Sequence, residues 1–415
     1  MNTLMAKYAA KLSATGLCAP GDVLMAALDD ELAWSQPTDT GDPRRKLMGA
    51  VFAGMNISAL LLARPAGVYQ AVMVELARQA LADGTTSGWG SITPGDCETR
   101  TFLHDLPVVD SMGADVVIQA LRQRKGCVIL NGDEVLVAAF GTVSPEQAYV
   151  TFSSMCFACF VAYFADHLLR ARQGSLTPER QAAFERIKAL LPEDRDDLPD
   201  LLPGPFESED AAREALIQAG RHTVEYGLVD SYFGNISYRL GDTILISQTG
   251  SSLDELGACI DPCRMDGSSC AGITASSEYS AHKAVYEAED NARAILHGHP
   301  RFSVILSLDC ERLDCPKLGE CHRACDTPRA VTDPSGGLGV PIVPGEVGTG
   351  PFGLCNTLPA ALTGTSGEKR GAIVYGHGLF TLGAVDFRDA FATLMGVEHF
   401  CRAEYFRRVA RLGGE

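Results

Sequence analysis

Positive charge is scarce in this chain of 415 residues. Its 35 lysines and arginines face 52 aspartates and glutamates, for a formal net charge of −17. That shortage argues against broad binding to nucleic acid or to an anionic membrane surface, because both need a basic footprint. It leaves room for a small anion held by backbone amides. No apolar run approaches the roughly 20 residues of a membrane span. The opening stretch MNTLMAKYAAKLSATG lacks the apolar core and cleavage pattern of a secretory leader. These absences point to a cytoplasmic protein with no membrane or nucleic-acid partner. Cysteine, by contrast, is plentiful at 14. In a reducing compartment such cysteines serve as thiols or metal ligands rather than disulfides.

The length is large for one core and predicts two domains. With 46% hydrophobic and 21% charged residues, the composition is that of an ordinary globular protein. Residues 1–180 alternate apolar runs with helical stretches, including a helix over Val68–Leu81 and a long apolar one over Pro145–Arg172. Cys127–Leu130 and Glu134–Ala139 flank Asn131-Gly132, a hairpin signal. Residues 181–208 turn acidic and proline-rich, which reads as a solvated linker. A second domain occupies 209–415.

The chemistry concentrates in that second domain. Ala294-Ile295-Leu296 is a buried-strand pattern that delivers His297 and His299, stopped by Pro300. Strand side chains alternate faces, so the two imidazoles point the same way and can chelate one zinc-like cation. A hydrogen-bonded pair of histidines at a strand end is the simpler alternative. A second strand, Ala372-Ile373-Val374, leads to His377 in the turn Tyr375-Gly376-His377-Gly378. With Glu278, three histidines from two strand ends compose a catalytic zinc-type site with an open position. Gly234-Asn235-Ile236-Ser237, Thr249-Gly250 and Ser276-Ser277-Glu278 complete a set of spaced motifs.

In order and spacing these motifs resemble the class II aldolase/adducin family, over roughly half the chain. The resemblance implies an α/β fold, a three-layer α/β/α domain with a mainly antiparallel central sheet. It implies metal ligation by His297, His299 and His377, acid/base work by Glu278, and a substrate phosphate held by Gly234, Asn235, Thr249, Gly250, Ser276 and Ser277. A glycine-rich turn cradles phosphate through N–H groups, and a helix N-terminus favours the anion. For the two serines, plain helix capping is the competing reading. The implied activity is that of a metal-dependent lyase, an aldolase that makes or breaks a carbon–carbon bond in a sugar phosphate or related ketose through a metal-stabilised enediolate. A dehydratase or decarboxylase on the same scaffold, and a non-catalytic adducin-like scaffold, are the alternatives. The cofactor expected is a divalent metal, Zn2+.

The first half reads as a degenerate copy, so that the fold is a tandem repeat. Asn56–Pro65 aligns with Asn291–Pro300, which places Leu62 at His297 and Arg64 at His299. Gly126–Asp133 aligns with Gly371–Gly378, placing Gly132 at His377. Leu106–Val109 matches Val340–Val343, Leu28–Gln36 matches Leu240–Gln248, and Gly21–Leu24 stands where Gly234–Ser237 would. With its ligands lost, this half reads as a structural partner, and two chains would make a homodimeric pseudo-tetramer of such domains. Cys310, Cys315, Cys321 and Cys325 follow the His297 strand, and Cys259, Cys263 and Cys270 precede Ser276. The first four, with His322 nearby, offer a second metal or iron–sulfur site. Reduced thiols or local disulfides are the alternatives.

Overall fold

Strands form where leucine-, isoleucine- and valine-rich runs are stopped by glycine or proline, and the helices between them cover both faces of each sheet. The structure, a computed structural model, describes residues 1–37, 39–84, 89–230, 232–268, 274–317, 320–325, 327–332, 339–346, 348–363 and 371–413. It divides into two units, Met1–Glu193 and Asp194–Glu415.

The first unit contains β1 (Cys18–Leu28), β2 (Leu32–Trp34), β3 (Ala59–Pro65), β4 (Gly90–Ile92), β5 (Leu106–Val109), β6 (Gly126–Asn131) and β7 (Glu134–Gly141). They form one sheet in the order β2-β1-β3-β7-β6-β5-β4. Helices Pro43–Gly54 and Ala114–Gln123 pack on one face. The long helix Pro145–Gln173 packs against β3 and β7. That helix is long and apolar enough to cross a membrane, contrary to the sequence expectation, and 83% of its most apolar window is buried inside its own unit.

The second unit contains β8 (Asn235–Leu240), β9 (Thr243–Ser247), β10 (Ile260–Arg264), β11 (Ala294–Gly298), β12 (Arg329–Thr332), β13 (Gly339–Val343), β14 (Gly371–Val374) and β15 (Gly378–Gly383). Their order is β10-β9-β8-β11-β15-β14-β13-β12. Omitting the edge strand β10, this is the first sheet's order again. Each sheet has one parallel pair, β5–β6 and β13–β14, among antiparallel ones. One core cluster joins the sheet to helices Tyr279–Ala288 and Leu354–Thr363. Helix Phe387–Gly413 packs on β11 and β15.

Strand registers correct the sequence alignment. Leu24, not Asp22, lies opposite Leu62, in the place that Asn235 takes opposite His297. The β1–β2 turn, Asp29–Glu31, holds one residue more than the β8–β9 turn, so an ungapped match of the two hairpins misplaces one strand. The acidic stretch also departs from expectation. It has no helix or strand from 194 to 208, yet it is no free connector. Leu201 and Phe206 are buried, and the Gly204 and Phe206 N–H groups donate to Asp386 (2.8 Å) and to the Tyr238 hydroxyl (3.1 Å). Two apolar side chains among the acids anchor it, while the carboxylates keep their water.

Beyond β11, helix Arg301–Leu308 starts immediately after Pro300. Its N-terminus is held by the Glu398 carboxylate, which accepts from the N–H groups of Phe302 (2.7 Å) and Ser303 (2.8 Å) and from the Ser303 hydroxyl (2.8 Å). Replacing Glu398 by Ala strands three donors at the end of the histidine-bearing strand. A loss of about 2 kcal/mol in urea unfolding is expected, with a smaller loss for Glu398→Gln, which keeps an acceptor.

Candidate metal centre

Strand parity puts His297 on the same face as Ile295, the face covered by helix Tyr279–Ala288. Its neighbours across the sheet are Asn235 on β8 and Phe380 on β15. The Phe380 ring stacks on the imidazole, with centroids 3.9 Å apart and planes 11° apart. His297 Nδ1 lies 3.2 Å from the Leu379 carbonyl, to which it donates, so Nε2 keeps its lone pair for the pocket. Burial, then the neighbouring His299 and His377, hold the pKa of His297 well below the usual histidine value. The ring is therefore neutral, the form a metal ligand needs.

His299 Nε2 stands 3.1 Å from His297 Nε2, and its ring lies parallel to that of Phe233. His377 arrives from the β14–β15 turn. One nitrogen from each of the three rings falls within 4.8 Å of the others. Glu278, the residue that opens helix Tyr279–Ala288, completes the group: Oε2 is 3.5 Å from His297 Nε2 and Oε1 is 3.4 Å from His377 Nε2. All four residues are buried, with exposures of 0% to 9%. Glu278 Oε1 has no hydrogen-bond donor although water cannot reach it. A buried acceptor without a donor, facing three imidazole nitrogens, fits a divalent cation, and a three-nitrogen, one-oxygen set suits zinc.

Close backbone approach makes the convergence possible. A Cβ on Gly378 would lie 2.4 Å from the Gly298 carbonyl oxygen and 2.6 Å from His297 Cε1. A Cβ on Gly234, where φ is +76°, would lie 2.4 Å from the His297 carbonyl oxygen. Gly234 was expected to hold phosphate; its glycine is required by packing against the histidine strand.

Asn235 has its side chain engaged within the site: Nδ2 donates to Glu278 Oε2 and Oδ1 accepts from His282 Nε2. His282 Nδ1 in turn meets the Ser237 hydroxyl (2.7 Å), which also contacts the Tyr286 hydroxyl (2.9 Å). The chain is self-consistent in one tautomer, with Nε2–H toward Asn235 and Nδ1 accepting from Ser237. His282 matched no motif. Its position four residues after Glu278 on one helix face was the available signal.

The remaining predicted anion groups lie together. A bridge pairs Gln248 with Ala275, Thr249 N–H donates to Thr274, and Ser276 N–H donates to Ser247. Thr249, Gly250 and Ser277 are exposed there, whereas Ser276 is buried and its hydroxyl accepts from Glu278 N–H (3.3 Å) in a local cap. The four cysteines of the 310–325 segment do not converge as a ligand set: among the described residues the three histidines are the one such group. Cys310, Cys315, Cys321 and Cys325 are free thiols lining a cavity. Cys270 lies outside the described residues.

Residues 214–405 match the family model of the class II aldolase and adducin N-terminal domain. Over this segment, a little under half of its length, the chain is similar to the class II aldolase and adducin family. A 3-oxo-tetronate 4-phosphate decarboxylase of Haemophilus influenzae is 34% identical over 99 residues, 23% of this chain and 47% of that protein. A methylthioribulose-1-phosphate dehydratase of Gluconacetobacter diazotrophicus is 38% identical over 100 residues, 23% of this chain and 49% of that protein. The chain thus spans about half the length of these curated relatives. Among solved structures, L-fuculose-1-phosphate aldolase from Thermus thermophilus aligns at 24% identity with a TM-score of 0.38, covering 49% of this chain and 97% of that one.

Burial lowers the His282 pKa from 6.5 to about 3. The unfolded chain therefore takes up this proton before the folded one does. Stability is complete above pH 6.5 and falls as pH drops toward 3, by up to ~1.4 kcal/mol per unit for this group. Urea unfolding of metal-free protein at stepped pH should show the fall, and His282→Gln should flatten it.

Proposed function

We propose that the second unit is a metal-dependent lyase acting on a short phosphorylated ketose or keto acid, with aldol cleavage or formation of a carbon–carbon bond as the first reaction to test. The observation that carries the reading is the convergence of His297, His299, His377 and Glu278 in one buried pocket. A scaffold has no need to bury three imidazoles and a carboxylate face to face, because doing so costs solvation.

His297, His299 and His377 would hold the cation, and Glu278 lies in reach of it. When bound, a divalent cation supplies Lewis-acid polarisation of the substrate's carbonyl and hydroxyl oxygens. Glu278 takes up the proton from the hydroxyl at the bond that breaks and returns it to carbon. Asn235, fixed by His282, aims the Glu278 carboxylate. Thr249, Gly250 and Ser277 sit at the exposed edge of the pocket's strands, suited to bind a phosphate through hydroxyls and N–H groups beside a helix N-terminus. A second reading, dehydration or decarboxylation, is favoured by the names of the curated relatives.

The first unit we read as a duplicated copy without chemistry. Its strand order and its single parallel pair repeat those of the second unit. Where His299 would stand, Arg64 pairs with Asp22 (2.9 Å) and Glu134 (2.6 Å). The reading carries with it a homodimer of tandem chains, which light scattering tests; a monomer at all concentrations removes it.

Purified protein should hold metal that His297→Ala/His299→Ala loses at the histidine centre. Glu278→Gln should retain that metal while lowering turnover by about 10²–10⁴-fold, measured with a panel of phosphorylated ketoses and keto acids. A histidine centre that takes up no divalent metal even from added zinc sinks the lyase reading.

A further inference from the structure

Between helix Arg301–Leu308 and β12, the chain makes an excursion with little to hold it. Among its described residues the one regular element is the four-residue helix Cys321–Ala324. Among the described residues from 309 to 328, Cys321 is the one buried apolar or thiol side chain, and Leu313 is exposed. Hydrophobic burial at roughly 25 cal/mol per Å² cannot order such a segment. Short segments without a core are held by disulfides or by a metal.

Cys310, Cys315, Cys321 and Cys325 all line one cavity of about 310 Å³. The same wall carries Arg312, Lys317, Arg329 and Arg408 against Asp309 and Glu311, which leaves two positive charges in excess within a strongly acidic protein. The excess can be located. Arg408 pairs with Glu404 (2.6 Å) and Asp309 (2.8 Å), but Arg312 donates to the Thr327 hydroxyl (3.1 Å) and Arg329 to the Asp309 carbonyl (2.7 Å), both neutral acceptors.

We propose that these four cysteines bind one structural zinc ion. Zn2+ is taken up as four thiols each release a proton to solvent, and the resulting tetrathiolate centre carries two negative charges. Arg312 and Arg329 supply the matching pair of positive charges. Two disulfides would leave them unmatched. The thiols line the cavity without meeting at one point, so uptake draws them inward, which a segment of so little regular structure permits. The ion would brace the histidine centre: Arg329 lies over the Tyr375 ring at 5.5 Å, and the Gly376 N–H donates to Ser307 (2.8 Å) at the end of the preceding helix. Tyr375 and Gly376 lead directly to His377.

The test is zinc per chain on full-length protein purified without chelator, with thiols counted by alkylation and mass spectrometry. Wild type should hold about two ions. His297→Ala/His299→Ala should keep about one, and Cys321→Ser/Cys325→Ser should lose one. Cobalt substitution should give a thiolate charge-transfer band that survives in the histidine variant and vanishes in the cysteine variant. If the cysteine variant misfolds, the histidine variant alone decides: zinc and a thiolate–cobalt band present support the site, and their absence overturns it. A mass deficit from disulfides, or iron with labile sulfide in place of zinc, also overturns it. The histidine arm separates this site from the lyase reading: loss of either metal leaves the other measurable.

Discussion

Three imidazoles and a carboxylate share one buried pocket, and the second unit is arranged around that constraint. Each polar atom there must find a partner inside the protein or remain a standing cost. His297 finds one in the Leu379 carbonyl, and Glu278 Oε2 finds one in the Asn235 amide. Glu278 Oε1 finds none. Burial, with the neighbouring His299 and His377, makes His297 a poor base, which leaves its inward nitrogen as an unprotonated donor. The pocket is thus complementary to a cation by what it leaves unsatisfied.

The fold meets this constraint with period-two geometry and with missing side chains. One face of β11 carries Ile295 into the core and His297 into the pocket, so one strand serves packing and chemistry together. Gly234, Gly298 and Gly378 let three backbone segments close around the histidines at distances that a Cβ would forbid. Glu278 is positioned by opening the helix that covers this same face. Its orientation then depends on a row of side chains, Asn235, His282, Ser237 and Tyr286, that never touch the pocket's centre.

Much of this was legible because it is written in spacing. A buried strand ending in His-Gly-His, and a second strand ending in Gly-His-Gly, point to two strand ends before any coordinates exist. What was not legible depends on choices between partners. Asn235 follows a glycine in a motif suited to phosphate, yet its amide is spent on Glu278 and His282, and no pattern in the chain reveals which partner an amide selects. Likewise the spacing of Cys310, Cys315, Cys321 and Cys325 fixes separation along the chain, not the distance between sulfurs. The acidic stretch before 208 looked like a connector because its charge outweighed Leu201 and Phe206 in the composition, although those two decide where it lies.

The first sheet shows which part of the second is scaffold and which part is chemistry. The strand order and the parallel pair recur where the histidines do not. The sheet therefore does not require them. At the matching register Leu62 faces Leu24, an apolar pair where the second sheet sets His297 beside Asn235. The hairpin β6–β7 also pairs onward to Asn131 and Glu134, whereas β14–β15 stops at Val374 and Gly378 and leaves a three-residue turn that carries His377. Shortening that ladder gives up backbone pairing. Placing His297 opposite Asn235 gives up an apolar contact. Both exchanges cost stability that the first sheet retains, and both act at the one place where the polar groups converge. A sheet that folds without these features, beside one that keeps them at a cost, is the physical reason to assign the pocket a function rather than a place in the core.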